Sequence, residues 1–273
     1  MTAADSPPAG TNTVPLPAAL PLPARKRDPA TGRHVIDYRA VAMLALPLML
    51  NSSLQAVISI TDTWFVGHIS TTAMAGMAAV YWVVLLFLML VGGVGLAVQT
   101  FVAQAEGGRR FTRASHATWV ALTASALTLP FFALLAWSGP LLFAPFGLAP
   151  EVSEQAMAFW QPRMLGAPLG VALWAVLGFF NGISRPRITV MTSALVAVVN
   201  AVLNEVFIFR LDGGIAGSAW ATNVSMLCGV AFALFVFLLI AAVTCARFPL
   251  RFGVGDTIIT LDSIPMVLAV LLL

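Results

Sequence analysis

From residue 40 onward the apolar residues run in long blocks separated by short polar punctuation, without the period-two alternation of half-buried strands. Six blocks emerge, at about 40–66, 73–104, 115–137, 156–181, 188–209 and 216–246, each at or above the roughly 20 residues that carry a helix across the hydrocarbon of a bilayer. The strands of an outer-membrane barrel need only about ten. The breaks "GHISTT", "EGGRRFTR", "SGPLLFAPFGLAPE", "NGISRPR" and "RLDGGIAG" supply the Gly, Pro and charge that end helices. The pattern predicts an all-α integral membrane protein, a bundle of six transmembrane helices over residues 39–250. Residues 1–38 read as a Pro-rich, disordered cytoplasmic tail. They are not a signal peptide, because Arg25, Lys26 and Arg27 follow the proline-interrupted apolar part. Residues 251–273 are an apolar tail, either the start of a seventh span cut short or unrelated sequence after a frameshift.

Composition agrees with lipid as the solvent. Of 273 residues, 60% are hydrophobic and 9% charged, and the mean hydropathy of +0.94 exceeds what one core of this size can hide. The net charge of +3 and pI near 9.4 are explained by position. Twelve of the fourteen Lys and Arg residues fall on one side of the alternating spans, at 25–27, 33, 39, 109, 110, 113, 185, 187, 247 and 251. Only Arg163 and Arg210 fall on the other. The positive-inside rule makes the richer side cytoplasmic, N-terminus included, in a multi-pass protein of the inner (plasma) membrane. No stripe of basic residues interleaved with aromatics forms, so nucleic acid is not an expected partner. Cys228 and Cys245 are seventeen residues apart, about 25 Å along a helix, too far for a disulfide. No metal-ligand spacing, acidic cluster or nucleophile elbow appears, and no enzyme is expected.

Within the spans the ionisable exceptions are Asp62 and Glu205. An intramembrane carboxylate is costly unless it protonates, pairs or faces a wet cavity, so it marks either an ion path or a side chain reaching the interface. Depth separates the two readings. Asp62 lies five residues from the end of span one at Gly67, Asn204 six from Arg210 at the end of span five, and Thr222 six from the start of span six at Ala216. All three therefore share one level. Asn200 and Asn204 share a helix face, whereas Glu205 is rotated about 100° from Asn204. These asparagines serve either a site or interhelical hydrogen bonding alone. Gly92, Gly93 and Gly95 read as close helix packing and not a phosphate loop. Pro47, Pro130 and Pro168 read as kinks, and Trp64, Tyr81, Trp82 and Trp137 as interfacial anchors.

"LALPLMLNSSLQAVISITDTWFVGHIS" at 44–70 resembles the first span of the multidrug and toxic compound extrusion (MATE) transporters. "GFFNGISRPRITVMTSALVAVVNAVLNEVFIF" at 178–209 is similar to their fourth and fifth spans, and "GIAGSAWAT" at 214–222 to the start of the sixth. The resemblance, placed in the DinF-like branch, covers about residues 40–250. It implies the N-terminal lobe of a twelve-span antiporter that expels hydrophobic or cationic small molecules against an inward flow of protons or sodium ions, with no cofactor. Its cation site carries over to Asp62, Asn200, Asn204 and Thr222, with Glu205 a possible accessory group. The family's second acid on span five is Asn204 here, which weakens a sodium site more than a proton site. A lobe of this kind implies a second lobe or self-association. The alternatives are a non-transporting fragment or membrane-embedded interaction protein, and a lipid-linked oligosaccharide flippase of the same superfamily.

Overall fold

The computed structural model describes residues 25–27, 34–108 and 110–247. The apolar tail 251–273 and most of the N-terminal segment lie outside them. The chain divides into two units, residues 1–46 and 47–273. In the first, strands β1 (Arg25–Arg27) and β2 (His34–Ile36) pair antiparallel with Lys26 opposite Val35. These two strands fall within the segment expected as a disordered tail.

The rest is helical. Helix α1 is Tyr38–Gly67, α2 Thr71–Gly107, α3 Phe111–Leu127, α4 Leu129–Trp137, α5 Gly139–Phe143, α6 Pro150–Leu165, α7 Ala167–Gly182, α8 Pro186–Asn204 and α9 Gly214–Arg247. Starts follow sequence chemistry. Ser70 caps α2 by accepting the Ala73 N–H at 3.0 Å, and Pro150 and Pro186 occupy the first positions of α6 and α8, where the missing N–H is harmless. Four described stretches, 71–107, 112–137, 186–210 and 214–240, are long and apolar enough to cross a membrane, and α6 with α7 forms a fifth, bent by 45°. Helix α1, 30 residues long, occupies the position of the expected first span. The six blocks are thus met approximately, with the fourth broken at Gly166. Pro168 explains the break: it has no N–H to offer the preceding turn.

Helices α2 and α7 approach most intimately, and glycine is the reason. A Cβ on Gly92 would fall 2.2 Å from the Trp174 ring, one on Gly95 3.0 Å from the Val171 carbonyl oxygen, and one on Gly178 3.2 Å from the Gly95 carbonyl oxygen. Gly93 meets nothing within 4 Å, so only two of that trio do the packing expected of them. A cluster around Trp160, Phe132 and Val80 fills one end of the lobe and another around Phe180, Phe237 and Val102 the other. Leu86, Leu90, Leu127, Leu134, Leu141 and Phe235 are each more than half exposed, an apolar exterior suited to lipid. Trp64, Trp82 and Trp137 are exposed as well.

Candidate functional site

Three helices converge on Asp62. It sits one turn before the end of α1, half-buried, and both carboxylate oxygens are engaged. The Asn204 amide of α8 donates to Oδ1 at 2.6 Å and the Thr222 hydroxyl of α9 to Oδ2 at 3.1 Å. The same Asn204 amide donates to Asn200 Oδ1 at 3.2 Å, and the Asn200 amide donates to Thr222 Oγ1 at 3.3 Å, which closes a ring. Asn200, Asn204 and Thr222 are buried. The three residues that depth places at one level, and Asn200 one turn away on the same face of α8, are therefore joined. The i, i+4 spacing puts both asparagines on one face of α8, and matched distances from the helix ends do the rest.

Donor and acceptor counts decide what such a ring can do. The Asn204 amino group spends its two hydrogens on Asp62 and Asn200, while its Oδ1 is buried with no partner among the described residues, as is Ser218 Oγ one turn before Thr222. Thr222 has one hydroxyl hydrogen and two acceptors in reach, Asp62 Oδ2 and the Ser218 carbonyl, each at 3.1 Å. The ring is thus rich in oxygen lone pairs: those of Asp62, the idle Asn204 Oδ1, Asn200 Oδ1 and Thr222 Oγ1. A monovalent cation or a proton fits that donor set. Immediately after Asn204 the helix widens into a π-turn, Glu205–Arg210, a feature frequent at functional sites. Glu205 itself is exposed and has no bond to the ring, because its position turns it away from the face that Asn204 presents.

Arg163 corrects the charge count. Its sequence position groups it with Arg210 on the side poor in basic residues, yet the structure puts it inside the lobe near the end of α6. Its guanidinium donates to Asn223 Oδ1 at 3.5 Å and to the Met226 thioether at 3.9 Å, and it interacts electrostatically with Asp62. A signal existed: Arg163 lies well within the apolar block 156–181. Asn223 was also missed. Its amide donates to the Pro162 carbonyl at 2.6 Å, and its side chain occupies the space where Gly166, at the break, would carry a Cβ. Ser125 Oγ donates to the Pro168 carbonyl at 2.6 Å on the other side of the break. Elsewhere Ser193 of α8 donates to Asn51 Oδ1 of α1. Asn51 and Ser193 precede Asp62 and Asn204 by the same eleven residues, so α1 and α8 are tied at two levels.

A bundle of apolar helices with a polar ring where three of them meet belongs to the class of multi-pass membrane proteins with an intramembrane polar centre. The MatE family model matches residues 47–206, more than half of the chain, and the chain belongs to that family of MATE transporters. A probable multidrug resistance protein NorM of Burkholderia mallei is 32% identical over 77% of this chain and 45% of its own length. A multidrug resistance protein MdtK of Yersinia enterocolitica is 23% identical over 66% of this chain and 40% of its own. The chain spans less than half the length of these curated relatives. Among solved structures, an outward-facing multidrug resistance MATE transporter of the MOP superfamily superposes with a TM-score of 0.65 at 22% identity, over 70% of this chain and 43% of that one. A MOP superfamily transporter from Pyrococcus furiosus gives 0.61 at 23%, over the same shares. These likenesses agree on the fold of one lobe. They do not assign the DinF-like branch.

Proposed function

We propose that this chain is a lobe of a cation-coupled efflux transporter, in which Asp62, Asn200, Asn204 and Thr222 bind the coupling ion. The observation that carries the reading is the closed ring around Asp62, with Asn204 Oδ1 left as an unused buried acceptor. A buried polar atom without a partner costs about 1–3 kcal/mol, and a site that offers it a cation offsets that. With one carboxylate in the ring, proton coupling is favoured over sodium. A proton neutralises Asp62 by itself, whereas a bare sodium ion gains from a second negative oxygen.

When Asp62 is ionised it accepts from Asn204 and Thr222 and tethers α1 to α8 and α9. Uptake of a proton turns one of those oxygens into a donor, which finds an acceptor in Asn204 Oδ1 or Thr222 Oγ1, so the hydrogen bonds that tether α1 are rearranged, the charge is lost and α1 repacks. Ion and substrate then compete through two conformations of the lobe. The relatives' names, which speak of multidrug resistance, support small-molecule, hydrophobic or cationic substrates. Rocking of two lobes around a shared site is the general mode of such transporters, so the lobe works with a second one, in the same assembly or from another copy. The distribution of basic residues supports an inner-membrane location with the N-terminus in the cytoplasm.

The test is Asp62→Asn in the assembled transporter. Insertion and abundance stay near wild type, because a neutral amide is easier to bury than a carboxylate, while dye extrusion driven by an imposed pH gradient is abolished. Full extrusion by that variant refutes the assignment.

A further inference from the structure

Helix α8 and the π-turn that continues it have two opposite faces. Ser193, Val196, Asn200 and Asn204 are buried and look into the lobe. On the other side Met191, Val198 and Val202 are 59, 63 and 58% exposed and Phe209 40%, while Glu205 is exposed and Leu195 half-buried. Positions 191, 195, 198, 202, 205 and 209 step by four, three, four, three and four, which is the a/d spacing of a heptad seam. Ala194 and Ala201, both half-buried, flank that seam seven residues apart, and small residues there admit a second backbone at close range.

Glu205 makes this stripe more than a surface for lipid. Its carboxyl has no hydrogen bond or ion pair among the described residues. It follows Asn204, which bonds Asp62, and lies more than a turn before the end of the span at Arg210. The other five seam positions are apolar. A carboxyl set among them is costly against hydrocarbon and calls for a hydrogen-bonding partner from outside the lobe. In a helical seam, one polar residue among apolar ones fixes the register and the number of partners.

The membrane selects the partner. Copies of one chain insert in one orientation and to one depth, so two α8 helices related by a two-fold axis along the membrane normal are parallel and already in register. Each seam residue then faces its own copy, and Glu205 meets Glu205. A carboxyl that holds a proton donates to one that accepts, so the two satisfy each other. Any other helix would have to bring a donor to that same depth on an otherwise apolar face.

We propose that the outward stripe of α8 is the interface of a symmetric dimer of this chain, packed through Met191, Leu195, Val198, Val202 and Phe209 and held in register by a hydrogen bond between the two Glu205 carboxyls. Asn200 and Asn204 occupy the opposite face of α8, so the contact leaves the ring around Asp62 uncovered, and the dimer does not depend on the ion-binding role of that ring.

The test measures Förster transfer between donor- and acceptor-labelled copies of the full chain in phosphatidylethanolamine and phosphatidylglycerol vesicles, as the lipid-to-protein ratio is raised. The wild type follows a dimer isotherm. Glu205→Leu weakens association at least tenfold, while Glu205→Gln, whose amide is both donor and acceptor, stays within threefold of wild type. Both variants keep the wild-type profile in fluorescence size exclusion, because the side chain is exposed and touches no part of the core. In a second arm Cys228→Ser and Cys245→Ser are combined with one new cysteine, and the membranes are oxidised with copper phenanthroline. Val198→Cys and Val202→Cys give disulfide-linked homodimers, whereas Leu90→Cys on α2 and Leu134→Cys on α4, which are equally exposed to lipid, give none. A wild type that stays monomeric at every lipid ratio, a Glu205→Leu variant that associates like wild type, a Glu205→Gln variant as weak as Glu205→Leu, or cross-links at 198 and 202 that capture another protein and no second copy each overturn the proposal.

Discussion

Replacing Gly166 by alanine tests the break in the fourth span most directly. The new Cβ would lie 2.0 Å from Cγ and Oδ1 of Asn223 and 2.3 Å from its Nδ2. Ordinary carbon contacts begin near 3.4 Å, so the amide must retreat by more than about 1 Å. The Asn223 donation to the Pro162 carbonyl, 2.6 Å in the native lobe, then passes beyond hydrogen-bond range. Leaving that buried pair unmade costs about 1–3 kcal/mol, and overpacking adds about 1–3. The better helix propensity of alanine offsets at most about 1 kcal/mol. The net expectation is a loss of about 1–5 kcal/mol, measured by denaturant titration of the chain in mild detergent. Gly93→Ala is the control, since a Cβ there meets nothing within 4 Å, and it should be neutral or slightly stabilising. Asn223→Ala supplies the decisive arm: once the obstructing side chain is gone, Gly166→Ala should cost nothing further, giving a coupling energy of about 1 kcal/mol or more in the double-mutant cycle. A Gly166→Ala variant as stable as Gly93→Ala, or an equal loss with and without Asn223, refutes the role given to the clasp.

Two further outcomes follow from the same geometry. Gly95→Val places a branched side chain against the Val171 carbonyl and the Trp174 Cβ, both 3.0 Å from the first added carbon; it should separate α2 from α7 and reduce the folded fraction by an order of magnitude or more in fluorescence size-exclusion profiles, and normal profiles would contradict the packing. With single cysteines at 70 and 110, the N-terminal caps of α2 and α3, an impermeant maleimide should label intact cells at 70 and only inverted vesicles at 110; the reverse labelling would overturn the orientation.

The apolar blocks were enough to place the helices, because a span must satisfy its backbone internally and must be apolar on its lipid face. Both constraints are local and leave their mark residue by residue. The ring around Asp62 was legible for a related reason. Rigid helices crossing a slab of fixed thickness convert sequence distance into depth, so Asp62, Asn204 and Thr222 could be levelled without a contact map, and the i, i+4 step added Asn200. Rotation is harder to read than depth. It nonetheless separated Glu205 from the ring, since adjacent positions on α8 cannot both face α1. What the sequence did not disclose was which way Arg163 and Asn223 pointed. Charge counting sorts residues by loop side, and it misfiled an arginine that lies inside a span. Asn223 looked like one more polar residue in α9, because its partners, Pro162 and the bare face of Gly166, are about sixty residues away and matter only once α6 and α7 bend against it. The sequence by itself determined the approximate extent of the apolar spans and the level of the polar centre, both of which follow from lipid as solvent. Only tertiary packing decided the break in the fourth span and the orphaned acceptor of Asn204, because both depend on which helix faces which, at distances of a few ångströms.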